Sequence, residues 1–177
     1  MLSDLVSQSA TRPYEAVLDL GCGSGLTGRQ FVDKSRRITG VDLSREMLSR
    51  AGLLGIYDRL VESDLETHLW NTDERYDLVL CCDVFIYLGD LSGVFAGVHR
   101  VLQAGGSFAF TIEPCDADSG YDLLPTLRYA HSESYIRRLA TEFKFHVRGI
   151  AEGALRDEDH RSVEGLAVHL ERAQPEP

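Results

Sequence analysis

The sequence has few lysines and no long apolar run. Only Lys34 and Lys144 are lysines among 177 residues, and the formal net charge at pH 7 is −10. Because nucleic-acid binding depends on clustered Lys and Arg, this charge disfavours nucleic acid as a partner. No apolar stretch approaches the roughly 18 residues of a membrane span, and residues 1–17 lack the pattern of a secretory signal. The sequence therefore predicts a cytoplasmic protein without a membrane partner.

Metal-binding patterns are also missing. The four cysteines form no Cys-x-x-Cys pair, and the six histidines show no close spacing. We therefore expect no metal site. Cys22 lies among glycines, and Cys81 and Cys82 fall in a run that predicts a buried strand, so reduced, packed thiols are expected.

Short apolar runs alternate with helical patterns, which is typical of βαβ units and predicts an α/β fold with a parallel sheet. The predicted strands are residues 16–20, 37–42, 59–64, 76–83 and 107–113. The predicted helices are residues 24–34, a helix capped by Ser44, a short helix or loop at 65–75, residues 91–102 ended by the glycines of "QAGG", and residues 132–142.

The last third of the sequence departs from this alternation. After Glu113 a looser, polar segment is expected to form a substrate loop. The runs "FKFHVRGIAE" and "SVEGLAVHLER", joined by the charged turn "LRDEDH", predict a hairpin at the edge of the sheet. Residues 173–177 are expected to form a disordered tail.

The stretch "AVLDLGCGSGLTGRQF" (16–31) predicts a ligand site. A strand followed by a tight glycine turn and a helix start brings backbone N–H groups to the carboxyl end of the sheet. The glycine pattern at 23–28, with Asp42 further on, also satisfies a dinucleotide fingerprint. However, Asp19 would repel a pyrophosphate, whereas it would attract a cationic ligand. No Tyr-x-x-x-Lys pair is present, so a nicotinamide cofactor is the less favoured alternative.

Five segments occur in an order that belongs to one family. They are "VLDLGCGSG", "GVDLS" after the second strand, "ESDL" at the third, "YDLVLCCDVFIYLGDL" at the fourth and "VLQAGGSFAFTIE" at the fifth. Over about residues 15–113 the sequence resembles the class I S-adenosylmethionine-dependent methyltransferases. The resemblance implies a Rossmann-like, seven-stranded, mostly parallel sheet with helices on both faces and an antiparallel C-terminal hairpin. It also implies a methyltransferase domain at 15–172 after an N-terminal extension at 1–14.

The resemblance implies a site for S-adenosylmethionine at the glycine turn. Gly21 and Gly23 would let the backbone approach the methionine part of the cofactor, and Asp19 would supply complementary charge near its sulfonium and amino group. Asp42 would accept both ribose hydroxyls, because a carboxylate has two oxygens for a vicinal diol. An aspartate at a strand end can instead serve as a helix cap.

Five further residues would complete this site. By the resemblance, Leu43 and Met47 would flank the adenine ring, Asp64 and Leu65 would bind its amino edge, and the backbone at Cys81 would accept the ammonium group. Met47 fits equally well as an ordinary core residue, and Asp64 as a helix cap.

The acceptor side is less defined by the sequence. Methyl transfer is an in-line displacement that alignment alone accelerates, so a catalytic side chain is not required. A hydroxyl or ammonium acceptor also needs a base, and Tyr87, Glu113 and His131 are the candidates by position. The alternatives are simple packing for Tyr87, a bond to loop backbone for Glu113 and solvent exposure for His131.

The sequence thus predicts a methyltransferase that acts on a small-molecule acceptor and gives S-adenosylhomocysteine. A cofactor-binding module without catalysis is one alternative. A protein methyltransferase is another, although "CDVF" stands where an Asn/Asp-Pro-Pro-Tyr run would be expected.

Two segments resemble methyltransferase domains fused behind tetratricopeptide repeats. They are "DVFIYLGDL" and "RYAHSESYIRRLA". Only about 14 residues precede the first predicted strand, where related enzymes often carry a lid. We therefore expect either an open site or an upstream repeat domain or partner protein.

Overall fold

A computed structural model describes residues 1–7, 12–158 and 161–174. Within them the strands are β1 Val17–Leu20, β2 Ile38–Asp42, β3 Arg59–Glu62, β4 Tyr76–Cys81, β5 Leu102–Ile112, β6 Tyr121–Leu123, β7 Tyr129–His131, β8 Phe145–Glu158 and β9 Arg161–Arg172. The α-helices are α1 Leu2–Ser7, α2 Arg45–Gly52, α3 Leu65–Asn71, α4 Ser92–Val101 and α5 Glu133–Glu142, and 3₁₀ helices span Gly28–Lys34 and Phe85–Tyr87. None of the helices in these ranges is long and apolar enough to cross a bilayer.

Seven strands form one sheet in the order β3-β2-β1-β4-β5-β9-β8. The pairs from β3 to β5 are parallel, and β9 pairs antiparallel with both β5 and β8. The expected mostly parallel sheet with an antiparallel C-terminal hairpin is therefore confirmed. The strand order reverses between β1 and β4, and in such sheets ligands bind where the order reverses, at the carboxyl ends of the strands.

The sheet is covered on both faces. Alternate strand residues point to opposite sides, so the central strands contribute apolar side chains to two clusters. Helices α4 and α5 cover one face, where Phe95 packs edge-on against Phe108 and Phe110 at 5.4 and 5.7 Å between ring centres. Helix α1 and Phe31 cover the other face. Burial on both faces explains why the central strands read as continuous apolar runs.

The first predicted helix is shorter than expected. The prediction placed it at 24–34, whereas a 3₁₀ helix begins only at Gly28. Three glycines, Gly21, Gly23 and Gly25, have φ of +69°, +53° and +93°, which right-handed helical residues do not adopt. The Gly25 N–H instead donates to the Cys22 carbonyl at 2.9 Å, closing a turn. The predicted helix start at Ser24 is therefore wrong.

The glycine stop expected after α4 is also wrong. Helix α4 passes directly into β5, because Leu102 already pairs with Tyr76 of β4. A register shift between Tyr76 and Leu78 absorbs the extra residues, including Gly105 with its φ of +75°.

The C-terminal third contains more structure than the sequence indicated. The expected substrate loop folds partly into the hairpin of β6 and β7. Strand β8 runs through part of the predicted turn, and residues 159–160 of that turn lie outside the described residues. Residues 175–177 of the predicted disordered tail lie outside them as well.

Candidate active site

A cleft of about 1180 Å³ opens at the carboxyl ends of the parallel strands. Its walls come from the glycine turn after β1, the segments after β2, β3 and β4, helix α1 and the far end of β8. The cleft brings together eight of the residues singled out in the sequence: Gly21, Gly23, Asp42, Leu43, Met47, Asp64, Leu65 and Tyr87. Asp19, Cys81, Glu113 and His131 do not line it.

The two glycines of the turn have different surroundings. At Gly21 an added Cβ would lie 2.3 Å from Cγ2 of Val84, so the backbone is packed closely against the segment after β4. At Gly23 an added Cβ would meet no atom within 4 Å, so this position faces open space. The turn is held in place because the N–H groups of Gly21 and Cys22 donate to the carbonyl of Val41 at 2.8 and 2.9 Å.

Asp42 connects the glycine turn to helix α2. Its Oδ2 accepts from the Gly23 N–H and its Oδ1 from the Ser44 N–H, both at 2.8 Å. Ser44 is the N-cap of α2 as predicted, because its hydroxyl accepts from the Met47 N–H at 3.3 Å. A carboxylate has about four acceptor positions, so Asp42 keeps capacity for further donors in the cleft.

Asp64 caps helix α3 and also borders the cleft. Its Oδ1 accepts from the Thr67 N–H at 2.9 Å, and this hydrogen bond holds the pKa of Asp64 below its usual value. The capping role given as an alternative is therefore present, and it coexists with exposure to the cleft. Leu43 is 73% exposed and Met47 is half-buried, so they offer apolar surface beside the two acids.

Asp19 lies beneath the glycine turn and is only 1% exposed. Its Oδ2 accepts from the Tyr57 hydroxyl at 2.7 Å, and among the described residues its Oδ1 has no hydrogen-bond partner. Burial raises the pKa of Asp19 to about 6, although the Tyr57 hydroxyl and the Gly28 amide lower it in part. A buried acid with one unpaired oxygen complements a positively charged ligand above it.

The cysteines near the site are free thiols. Burial raises the pKa of Cys22 and of Cys82 to about 12, and that of Cys81 well above its usual value. These thiols are therefore protonated at neutral pH and are not reactive nucleophiles. In the described part of the chain no group of three or more His, Cys, Asp or Glu side chains is arranged to hold a metal ion.

The three acceptor-side candidates have different positions. Tyr87 borders the cleft and is 68% exposed. Glu113 forms an ion pair with Arg156. His131 is fully buried, with its Nε2 3.0 Å from the carbonyl oxygen of Gly89, and burial lowers its pKa. The solvent exposure given as the alternative for His131 is therefore wrong, and the side chain does not border the cleft.

The structure adds two residues, Arg156 and Asp83, that the sequence motifs did not indicate. Arg156, from the far end of β8, forms ion pairs with both Asp83 and Glu113 and borders the cleft. Asp83 follows β4 with a φ of +59°. Like Asp42 and Asp64, Asp83 is an acid at the end of a predicted strand, so the sequence carried a usable signal for it. Nothing local could have found Arg156, because it lies 73 residues from Asp83 in the sequence.

We expect Arg156→Met to lower the free energy of unfolding by about 2–4 kcal/mol, because it leaves the largely buried Glu113 carboxylate without its cation. The matched control is Arg148→Met on the same strand, whose exposed pair with Glu171 contributes less than about 1 kcal/mol. Urea unfolding of both variants measures the difference. Equal losses would contradict this account of Arg156.

Comparison with known proteins identifies the family. The family described as "Methyltransferase domain" matches residues 18–110, more than half of the chain. A malonyl-[acyl-carrier protein] O-methyltransferase from Pseudescherichia vulneris is 34% identical over 107 residues, which cover 60% of this chain and 42% of that protein. A ubiquinone biosynthesis O-methyltransferase from Proteus mirabilis is 28% identical over 99 residues, which cover 54% of this chain and 40% of that protein. The chain thus spans less than half the length of these curated relatives.

Solved structures share the fold over nearly the whole chain. A SAM-dependent methyltransferase from Methanosarcina mazei has a TM-score of 0.76 at 16% identity, covering 97% of this chain and 98% of that one. The N-methyltransferase NodS from Bradyrhizobium japonicum, solved with S-adenosyl-L-homocysteine, has a TM-score of 0.75 at 19% identity. The match covers 97% of this chain and 83% of the NodS chain. Together with the family match, the cleft and its acids lead to one conclusion: the chain belongs to the class I S-adenosylmethionine-dependent methyltransferases.

Proposed function

We propose that the chain binds S-adenosylmethionine in the cleft and catalyses transfer of its methyl group to a small-molecule acceptor. The observation that carries the proposal is the open space at Gly23, with Asp42 and Asp64 on one side and the buried Asp19 carboxylate beneath. Bound there, the cofactor supplies an electrophilic methyl group on a sulfonium. The half-buried Asp42, the exposed Asp64 and the buried Asp19 together suit a cationic ligand better than a dinucleotide pyrophosphate.

The methionine and ribose parts of the cofactor are proposed to lie at the ends of β1 and β2. Gly21 and Gly23 let the ligand lie against backbone, and the Asp42 carboxylate accepts hydrogen bonds from the ribose hydroxyls while it also holds the Gly23 amide. Asp19 contributes negative charge from below.

The adenine part is proposed to lie toward β3. Leu43 and Met47 provide the apolar surface, and Asp64 and Leu65 border the adenine amino edge. The Cys81 backbone, at the carboxyl end of β4, is proposed to accept the ammonium group. The adenosine part of the cofactor is therefore proposed to lie on the β2–β3 side of the glycine turn, with the ammonium group beside the end of β4.

The other half of the cleft is proposed to hold the acceptor. It is bordered by Tyr87 after β4, by Thr111 near the end of β5 and by residues 154–156 of β8, which lie on the opposite side of β1 from β2 and β3. Tyr87 is our candidate for direct contact with the acceptor, because it is exposed there. Glu113 is less suited to act as a base, because its carboxylate accepts from the Arg156 guanidinium.

Methyl transfer from labelled S-adenosylmethionine to a panel of hydroxyl, amine and carboxylic acid metabolites tests the proposal. We expect S-adenosylhomocysteine to form with at least one acceptor, and Tyr87→Ala to raise KM for that acceptor about tenfold while cofactor affinity is unchanged. Binding without turnover on any acceptor would favour a non-catalytic module. Label in the protein fraction of a cell extract would favour a protein methyltransferase.

We also propose that residues 15–172 form the methyltransferase domain and that a repeat domain or partner protein acts upstream of it. The support is the resemblance of two segments to repeat-fused methyltransferases, together with Met1 and Leu2 bordering the cleft. Fusing tetratricopeptide repeats upstream of Met1 and measuring turnover tests this part. An unchanged KM for the acceptor would contradict it.

A further inference from the structure

Tyr57 lies in the connection between α2 and β3, outside every motif that indicated the cofactor site. Its hydroxyl donates to Oδ2 of Asp19 at 2.7 Å, across 38 residues of sequence. Tyr57 does not border the cleft, and neither does Asp19. The pair therefore forms a layer beneath the glycine turn.

The surrounding glycines make room for this tyrosine. An added Cβ at Gly28 would lie 2.4 Å from the Tyr57 hydroxyl oxygen, and at Gly40 2.9 Å from its ring. At Gly25 it would lie 3.1 Å from the ring. Gly28 completes the glycine fingerprint, and its lack of a side chain is explained here by the tyrosine rather than by a phosphate.

Within the described residues, only one of the two oxygens of the Asp19 carboxylate has a hydrogen-bond partner. Oδ1 of Asp19 is buried and has no partner among the described residues, although buried carboxylate oxygens are normally hydrogen-bonded. The titratable groups that face Asp19 are Tyr57, Asp42 and the thiols of Cys22, Cys81 and Cys82. The thiols remain protonated near neutral pH, and Asp42 is of like charge, so the Tyr57 hydroxyl is the side chain that favours the ionised form of Asp19.

We propose that Tyr57 is a positioning residue of the cofactor site, whose hydroxyl keeps Asp19 oriented and ionised so that its unpaired oxygen complements a cationic cofactor. This inference rests on the proposed function. Tyr57 acts through Asp19 and makes no contact with the ligand itself. Since hydrogen bonding to the ionised form lowers the pKa of a carboxyl, losing the hydroxyl raises the pKa of Asp19 above its value of about 6.

The test is Tyr57→Phe, titrated with S-adenosylmethionine between pH 6 and pH 8.5. We expect binding about tenfold weaker at pH 7, since losing the hydrogen bond to the charged carboxylate leaves a larger share of Asp19 protonated at that pH. The difference should narrow toward pH 8.5, where Asp19 is ionised even in the variant. A purely structural role predicts the same factor at every pH, and either that result or unchanged binding would overturn the inference.

Tyr76→Phe is the matched control. Tyr76 is buried, its hydroxyl donates to Glu74 at 3.0 Å, and it lies at the amino end of β4, away from the cleft. This variant should bind the cofactor as the native chain does. If the native chain binds no S-adenosylmethionine, the proposed function fails and the inference fails with it. If it binds and only the Tyr57 prediction fails, the proposed function stands.

A second variant keeps the inference testable if Tyr57→Phe does not fold. Asp19→Asn cannot ionise, so it should bind S-adenosylmethionine about tenfold more weakly at pH 8 and should lose the fall in affinity that the native chain shows as the pH drops through about 6. An unchanged pH profile in a folded Asp19→Asn variant would overturn the inference.

Discussion

Replacing Asp42 with alanine is expected to weaken S-adenosylmethionine binding by about 100-fold or more, because two or more charge-assisted hydrogen bonds are lost. The carboxylate holds the Gly23 amide and the Ser44 amide, each at 2.8 Å, so its removal also frees the glycine turn. The proposed bonds to the ribose hydroxyls are lost together with these. Calorimetric titration measures the change directly.

Asp58→Ala provides the matched control for this prediction. Oδ2 of Asp58 accepts from the Ile38 N–H at 2.8 Å, the same kind of bond, at the opposite end of β2. This variant should lose a comparable bond to the backbone and keep its cofactor affinity. If both variants bind equally well, Asp42 has no special role in the site.

Replacing Gly23 with alanine should reduce kcat/KM by about 100-fold, because a misplacement of about 1 Å near the reacting groups costs a factor of that size. No protein atom lies within 4 Å of the added Cβ, so the methyl group enters the space that we assign to the cofactor. The positive φ of +53° adds a strain of about 1–2 kcal/mol to the folded state.

Gly55→Ala is the matched control, because it introduces the same backbone strain as Gly23→Ala without placing a methyl group in the cleft. Gly55 has a φ of +64°, an added Cβ there also meets nothing within 4 Å, and the residue does not border the cleft. Thermal melting should show similar losses of stability for the two variants, while only Gly23→Ala loses cofactor binding. Equal binding by both variants would mean that the space at Gly23 is not the cofactor site.

The fold was predictable where the signal is local. The apolar runs of β1 and β4 are continuous because both faces of these strands are buried, and sequence periodicity registers such runs directly. Helix α5 was placed accurately because Ser132 is a capping residue, and its hydroxyl accepts from the Tyr135 N–H. The glycine turn was located, but its positive φ angles delay the following helix by four residues relative to the prediction.

The missed parts depend on contacts that are distant in sequence. Tyr57 reaches Asp19 across 38 residues, and Arg156 reaches Glu113 across 43. His131 was expected near the acceptor because it precedes a helix start, yet its ring is stacked on Tyr135 and directed to Gly89. Whether a polar side chain faces a cleft or supports a loop is decided by packing, which a single sequence does not encode locally.

Calorimetric titration of the native chain with S-adenosylmethionine, S-adenosylhomocysteine and NAD tests the central claim most directly. We predict binding of S-adenosylmethionine at one site per chain in the micromolar range, competition by S-adenosylhomocysteine, and no heat of binding with NAD at the same concentrations. Binding of NAD without S-adenosylmethionine would instead assign the glycine turn to a dinucleotide. If the folded chain binds none of the three, the assignment of this cleft as a cofactor site is wrong.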